Sequence, residues 1–189
     1  MSIWKEEVDI ALCKELKESV YYYSKSGERL CIPKALVRKP EEDFNPVEYP
    51  CASIYNTGDK FNHIRYKPKD EPVSVDPYRN LATMKKRAVT FDADYTVDLW
   101  SLYQRDMNEM VQSWLINHFR QFNLPVVTST GEKGNVNCLQ LTGPVKSDLI
   151  SGGKRLFHTV FSYRIWVEIS DENLYNVNVA TKVVIDVKH

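Results

Sequence analysis

Val89-Thr90-Phe91-Asp92-Ala93-Asp94-Tyr95-Thr96-Val97-Asp98-Leu99-Trp100-Ser101-Leu102-Tyr103 is the stretch on which the fold turns. Val89, Phe91, Tyr95, Val97, Leu99 and Tyr103 share one face, and Thr90, Asp92, Asp94, Thr96 and Asp98 share the other. Period-2 alternation of this length predicts a half-buried strand with its polar face wet. The period then changes to a helical one. Met107, Met110, Val111, Trp114, Leu115, Phe119 and Phe122 line one stripe, ending before Pro125, with Asp106 in the first turn and Arg120 in the last, as the helix dipole prefers. A strand feeding directly into an amphipathic helix is therefore the predicted centre of the molecule.

Working outward, Ser2 to Val20 predicts a first amphipathic helix. Trp4, Val8, Leu12, Leu16 and Val20 recur every four residues, Ser2 stands at the cap, and Glu6 and Glu7 lie in the first turn. Tyr21 to Tyr23 meets the turn signal Ser26-Gly27, and Arg29 to Val37 predicts an edge strand interrupted by Pro33. Pro40 to Pro46 reads as an acidic loop, and Pro50 to Tyr55 as a short buried strand ended by Asn56-Thr57-Gly58. Beyond the helix, Thr128 to Asn135 reads as a polar loop. Val136 to Lys146 predicts a strand broken by Gly143-Pro144, and Ser151-Gly152-Gly153 a turn. Leu156 to Ile169 and Leu174 to Val187 both alternate and flank Asp171-Glu172-Asn173, which predicts a C-terminal antiparallel hairpin. The expected class is α+β, with a mostly antiparallel sheet packed against two amphipathic helices, in a single domain over residues 1–189.

From Asp59 to Arg87 no period survives, and Pro68, Pro72 and Pro77 punctuate the stretch. A structureless loop of that length is uncommon in a compact domain and is usually functional. Between Lys60 and Arg87 stand eight basic residues and three acidic ones, Asp70, Glu71 and Asp76. The expectation is an arm that docks on a neighbouring subunit or lines a passage for nucleic acid. Phe61, Arg65, Tyr66, Tyr78, Lys85, Lys86 and Arg87 are its candidate interface residues.

Composition narrows the remaining choices. Hydrophobic residues make up 43% and charged residues 26%, ordinary for a globular chain, while 25 Lys and Arg balance 25 Asp and Glu. That balance argues against a dedicated nucleic-acid binder, whose domain is usually strongly basic. Eleven Tyr and four Trp suit interfaces as well as cores. Cys13, Cys31, Cys51 and Cys138 form no CxxC pair and read as reduced, buried small hydrophobes. Met1 leads into charged Lys5, Glu6 and Glu7, and no apolar run approaches the ~20 residues of a membrane span, so the expectation is a cytoplasmic chain without a signal peptide.

The same sequence offers little for catalysis. Asp92, Asp94 and Asp98, near Lys85 and Lys86, are the best metal candidates, and the reading of a metal-dependent nucleic-acid-processing enzyme rests on them. A solvated sheet face accounts for the same spacing. His63, His118, His158 and His189 are scattered, and His118 reads as a packed side residue. Gly131 to Gly134 and Gly152-Gly153-Lys154 lack the spacing and the strand-to-helix context of phosphate loops, and no GxSxG elbow is present. No enzyme, cofactor or metal is expected.

The order of elements resembles the tail terminator, or tail completion, proteins of contractile-tailed bacteriophages. Four places carry the resemblance: Leu30-Cys31-Ile32-Pro33; Tyr49-Pro50-Cys51-Ala52-Ser53-Ile54-Tyr55 with the long loop after it; the junction from Tyr95 to Met110; and Lys154 to Glu168. It covers Arg29 to Ile169, and Leu174 to His189 has no counterpart in it. The resemblance implies a virion protein of the tail, forming a hexameric ring that terminates the tube and sheath and joins them to the neck. Its partners would be copies of itself and the tube, sheath and neck proteins, with DNA passing the lumen without specific binding and no membrane involved. A ring closes through head-to-tail contacts, so each subunit needs two different adhesive surfaces. A monomeric baseplate or neck adaptor would share these sequence features.

Overall fold

A computed structural model describes residues 5–38, 48–64, 70–76, 78–79, 81–86, 88–151, 154–169 and 174–178. The elements in chain order are α1 (Lys5–Ser19), β1 (Tyr21–Tyr23), β2 (Arg29–Cys31), β3 (Lys34–Leu36), β4 (Cys51–Phe61), β5 (Glu71–Asp76), β6 (Leu81–Lys85) and β7 (Val89–Ser101). There follow α2 (Gln104–His118), β8 (Gln121–Val127), β9 (Lys133–Lys146), β10 (Leu149–Ser151), β11 (Lys154–Ile169) and β12 (Leu174–Asn178). The class is α+β. Among the described residues no helix is long and apolar enough to cross a membrane. The proposed Ser2 cap and the Pro40 to Pro46 loop lie outside the described residues.

The main sheet runs β3-β4-β7-β11-β9-β8, with β10 added on β11. Neighbours are antiparallel except β3 and β4. The alternating stretches β7 and β11 pair from Ser101↔Phe157 to Val89↔Ile169 and occupy the middle of the sheet. On one face Tyr95, Val97, Leu99, Phe161, Tyr163 and Ile165 meet Val8, Leu12 and Leu16 of α1 and Met107, Met110 and Trp114 of α2. Full burial of such side chains contributes about 1.5–3 kcal/mol each, which is why both amphipathic stripes settle on this face.

Several expectations are corrected. Trp100, Cys51 and Leu156 form a second, smaller apolar cluster on the opposite face, beside buried Ser53, Asp98 and His158. The polar face of β7 is therefore dry at that end. Alternation assigns side chains to two faces; it does not say that either face meets water. The helix predicted to continue through Phe122 ends at His118, because Arg120 takes a left-handed φ of 64° and turns the chain into β8. Leu124 and Val126 are buried there at period 2, and Pro125 is tolerated because β8 is an edge strand. Arg29 to Val37 is two strands: Pro33 lies where the chain leaves the β1–β2 hairpin to run parallel to β4. Gly143-Pro144 does not break β9; bulges in its pairing with β11 absorb it.

The C-terminal hairpin is also corrected. β12 does not pair with β11, which lies between β7 and β9, but with β6, and the predicted strand beyond Asn178 lies outside the described residues. Nor is Asp59 to Arg87 structureless: β4 continues to Phe61, and β12, β6 and β5 form a separate three-stranded antiparallel sheet. A bulge between Pro72 and Ser74 accommodates a proline on its outer strand.

Candidate functional site

The metal hypothesis meets a different arrangement from the one the spacing suggested. Asp94 accepts from Nε and Nη2 of Arg164 at 2.8 and 3.1 Å, a forked ion pair across β7 and β11. Asp92 accepts from the side-chain amide of Asn62 at 2.8 Å. Asp98 is 1% exposed, and neither of its carboxylate oxygens has a hydrogen-bond partner. Nε2 of His158 lies 3.6 Å from Oδ2, and that imidazole stacks on Trp100 with centroids 3.7 Å apart. The three aspartates thus have three separate surroundings, and among the described residues no group of three or more His, Cys, Asp or Glu converges.

His118 is buried, as its place beside the helical stripe suggested, and stacks on Trp114. Burial pushes the thiol of Cys51 up to about 12 and that of Cys13 to about 11, which suppresses the nucleophilic thiolate. Cys51 and Cys138 are buried as expected and Cys13 partly so, but Cys31 is exposed, because β2 belongs to a two-stranded hairpin that covers only one of its faces. Gly131 occupies a tight turn between β8 and β9 with φ of 84°.

The basic arm is the more distinctive feature. Register sets Val75, Ala82 and Val177 side by side on one face of its sheet, with Met84 continuing the row. Ser74, Thr83 and Asn176 lie on the other, where Thr83 Oγ1 donates to Asn176 Oδ1. The sheet is amphipathic, yet among the described elements it makes no substantial contact outside its own strands. Val73 and Val75 are more than half exposed. At the β5–β6 turn the backbone N–H groups of Tyr78 and Arg79 donate to Asp76 Oδ1, a local turn that presents Tyr78 at 97% exposure.

Of the candidate interface residues, Phe61 ends β4, half exposed, edge-on to Phe91. Lys85 is paired in register with Glu71 and Leu174, and Lys86 follows it, exposed. Arg65, Tyr66 and Arg87 lie outside the described residues.

Two surfaces were missed. A groove of about 480 Å³ runs between α2 and the end of β9, lined by Met107, Val111, Leu115, Ile116 and Pro144. The signal was present: the α2 stripe is wider than one sheet face can cover. The second is the depression between α1 and β8, floored by Ile10, Ala11, Pro125 and Val127.

No protein-family model matches the chain, and no curated protein matches it. Among solved structures, the chain is similar to the sheath/tube terminator of an extracellular contractile injection system, PVC, in its extended state. The identity is 13% and the TM-score 0.48, over 100% of this chain and 64% of that one. The chain therefore spans just under two thirds of the length of that terminator.

Proposed function

We propose that the chain is a structural subunit that closes into a ring, hexameric by its sequence resemblance, at the end of a contractile tail. The ring ends the tube and sheath and joins them to the neck. Its partners are further copies of the chain and the tube, sheath and neck proteins, and DNA passes its lumen without specific binding. The observation that carries the reading is the outlying sheet, which makes no substantial contact with another described element and leaves Val73 and Val75 more than half exposed. Three strands gain independent stability by covering a hydrophobic face, and exposed apolar patches beside polar rims mark protein interfaces. A neighbouring subunit supplies the missing layer. The mechanism is mechanical: a closed ring on the last tube and sheath layer stops further addition and anchors the sheath.

Light scattering on the purified protein, with negative-stain images of the same peak, tests it. A mass of several copies with ring-shaped particles is expected. Particles that are open filaments or two-fold dimers would refute ring closure. A monomer that also fails to bind tail tubes would refute the terminator role.

A further inference from the structure

The groove between α2 and the end of β9 holds one polar group that apolar packing does not explain. Its volume of about 480 Å³ falls in the range of clefts that accept a ligand or a partner's side chain. Met107, Val111, Leu115 and Pro144 give it apolar walls, and Ile116 beside them is 66% exposed. Thr159 of β11 also lines it, 1% exposed, and its buried Oγ1 has no hydrogen-bond partner. Buried hydroxyls are nearly always paired, and one left unpaired carries the full cost of its desolvation. The groove therefore suits an occupant that is apolar along its length and polar at its tip.

The outlying sheet carries such a group. Tyr78 is 97% exposed, more than any other large apolar side chain among the described residues, so it lies outside the groove of its own chain. It stands on the β5–β6 turn, whose backbone N–H groups at Tyr78 and Arg79 donate to Asp76 Oδ1 at 3.0 and 3.2 Å. A turn tied in this way presents the tyrosine preorganised, so little ordering entropy opposes its insertion. Ile64 and Ile150, the next most exposed, have no polar side-chain atom to offer Thr159. Tyr103, 67% exposed, heads the helix that walls the groove. Its entry into a second copy's groove would join one surface to its own equivalent, which pairs subunits and builds no ring.

We infer that Tyr78 of one copy inserts into the α2–β9 groove of the next, its ring against Met107, Val111 and Leu115 and its hydroxyl paired with Thr159 Oγ1. This rests on the ring reading and adds to it which two surfaces meet. Aromatic anchors seated in pockets carry much of the energy of protein interfaces, and tyrosine is enriched among them. The phenol and the threonine hydroxyl can each donate or accept, so the pair satisfies the orphaned group without introducing a charge. The knob stands on the outlying sheet and the groove on the main body. They are different surfaces, so the contact is head-to-tail and every copy presents one of each, which is the geometry of a ring.

Light scattering over a concentration series tests this, with circular dichroism melts to establish that each variant folds. Tyr78→Ala should remain at the mass of one copy where the wild type is assembled. Tyr78→Phe keeps the ring and loses the hydroxyl, and should raise the midpoint concentration of assembly about two- to tenfold, the effect of one hydrogen bond. Thr159→Val removes the orphaned hydroxyl at constant shape and should do the same, without lowering the melting temperature. Combining the two should weaken assembly no more than either alone, because each removes the same contact. Tyr78→benzoylphenylalanine, a photoreactive variant, should crosslink to the stretch Met107 to Ile116 of a second copy. Unchanged assembly of Tyr78→Ala, additive losses in the double variant, or crosslinks confined to other elements overturns the inference and leaves the ring reading intact. A wild type that never exceeds one copy's mass overturns the ring reading and this inference with it.

Discussion

His118 Nε2 lies 2.9 Å from Glu15 Oε1, and this contact across 103 residues of chain ties α2 to α1. The other ring nitrogen lies 3.0 Å from the carbonyl oxygen of Trp114. Both ring nitrogens thus face acceptor oxygens, one on each helix. The ring also stacks on Trp114 with centroids 3.7 Å apart, at the C-terminal end of α2.

The first prediction is a pH dependence. The His118 bond, with the Ser19 hydroxyl adding to it, holds the Glu15 carboxyl below its ordinary value of 4.5. Its stabilisation is therefore complete above that value and is lost as pH falls through the lower folded value. Glu15→Gln should cost about 1.5–3 kcal/mol near neutrality, the range for a hydrogen bond to a charged group. Thermal melts of both proteins should converge as pH falls below 4.5. A gap unchanged at low pH would show that the carboxylate charge is not what matters.

Asp98 and His158 give the second. Asp98 is buried without a hydrogen-bond partner, with His158 Nε2 3.6 Å away, and a buried polar group stripped of its neighbour costs about 1–3 kcal/mol. His158→Ala should therefore destabilise more than Asp98→Asn. Adding Asp98→Asn to His158→Ala should restore part of the loss in urea titrations. Additive losses would mean that the two groups are not coupled.

Third, the indole N–H of Trp114 donates to the hydroxyl of Tyr163 at 2.8 Å, both fully buried. Tyr163→Phe leaves that donor without a partner and should cost about 1–3 kcal/mol in denaturant midpoints, while Tyr78→Phe at an exposed turn should cost nothing measurable.

Fourth, replacing residues 71–85 with a short glycine-serine linker should leave a cooperatively melting body, since the arm's sheet makes no substantial contact with a described element of the main one. Assembly should be lost. A broadened or absent melting transition would instead place the arm in the core.

The two helices and the long central strands were legible in the residue order, because local period reports which side of an element is apolar. The α1 stripe Val8, Leu12, Leu16 and the β7 row Tyr95, Val97, Leu99 are buried where their spacing put them. The residue order also determined that the arm is basic, since charge is a property of residues and not of their placement. Period cannot say which strands become neighbours. β12 pairs with β6 and not with β11, its neighbour in sequence, and that choice belongs to the whole arrangement of strands. Nor can it say whether a polar face is wet: Asp98 is dry because Trp100, Cys51 and Leu156 gather on its side of the sheet. Only the tertiary structure set the acidic α1 beside the open edge of β8, since adjacency between elements far apart in the chain is decided by packing.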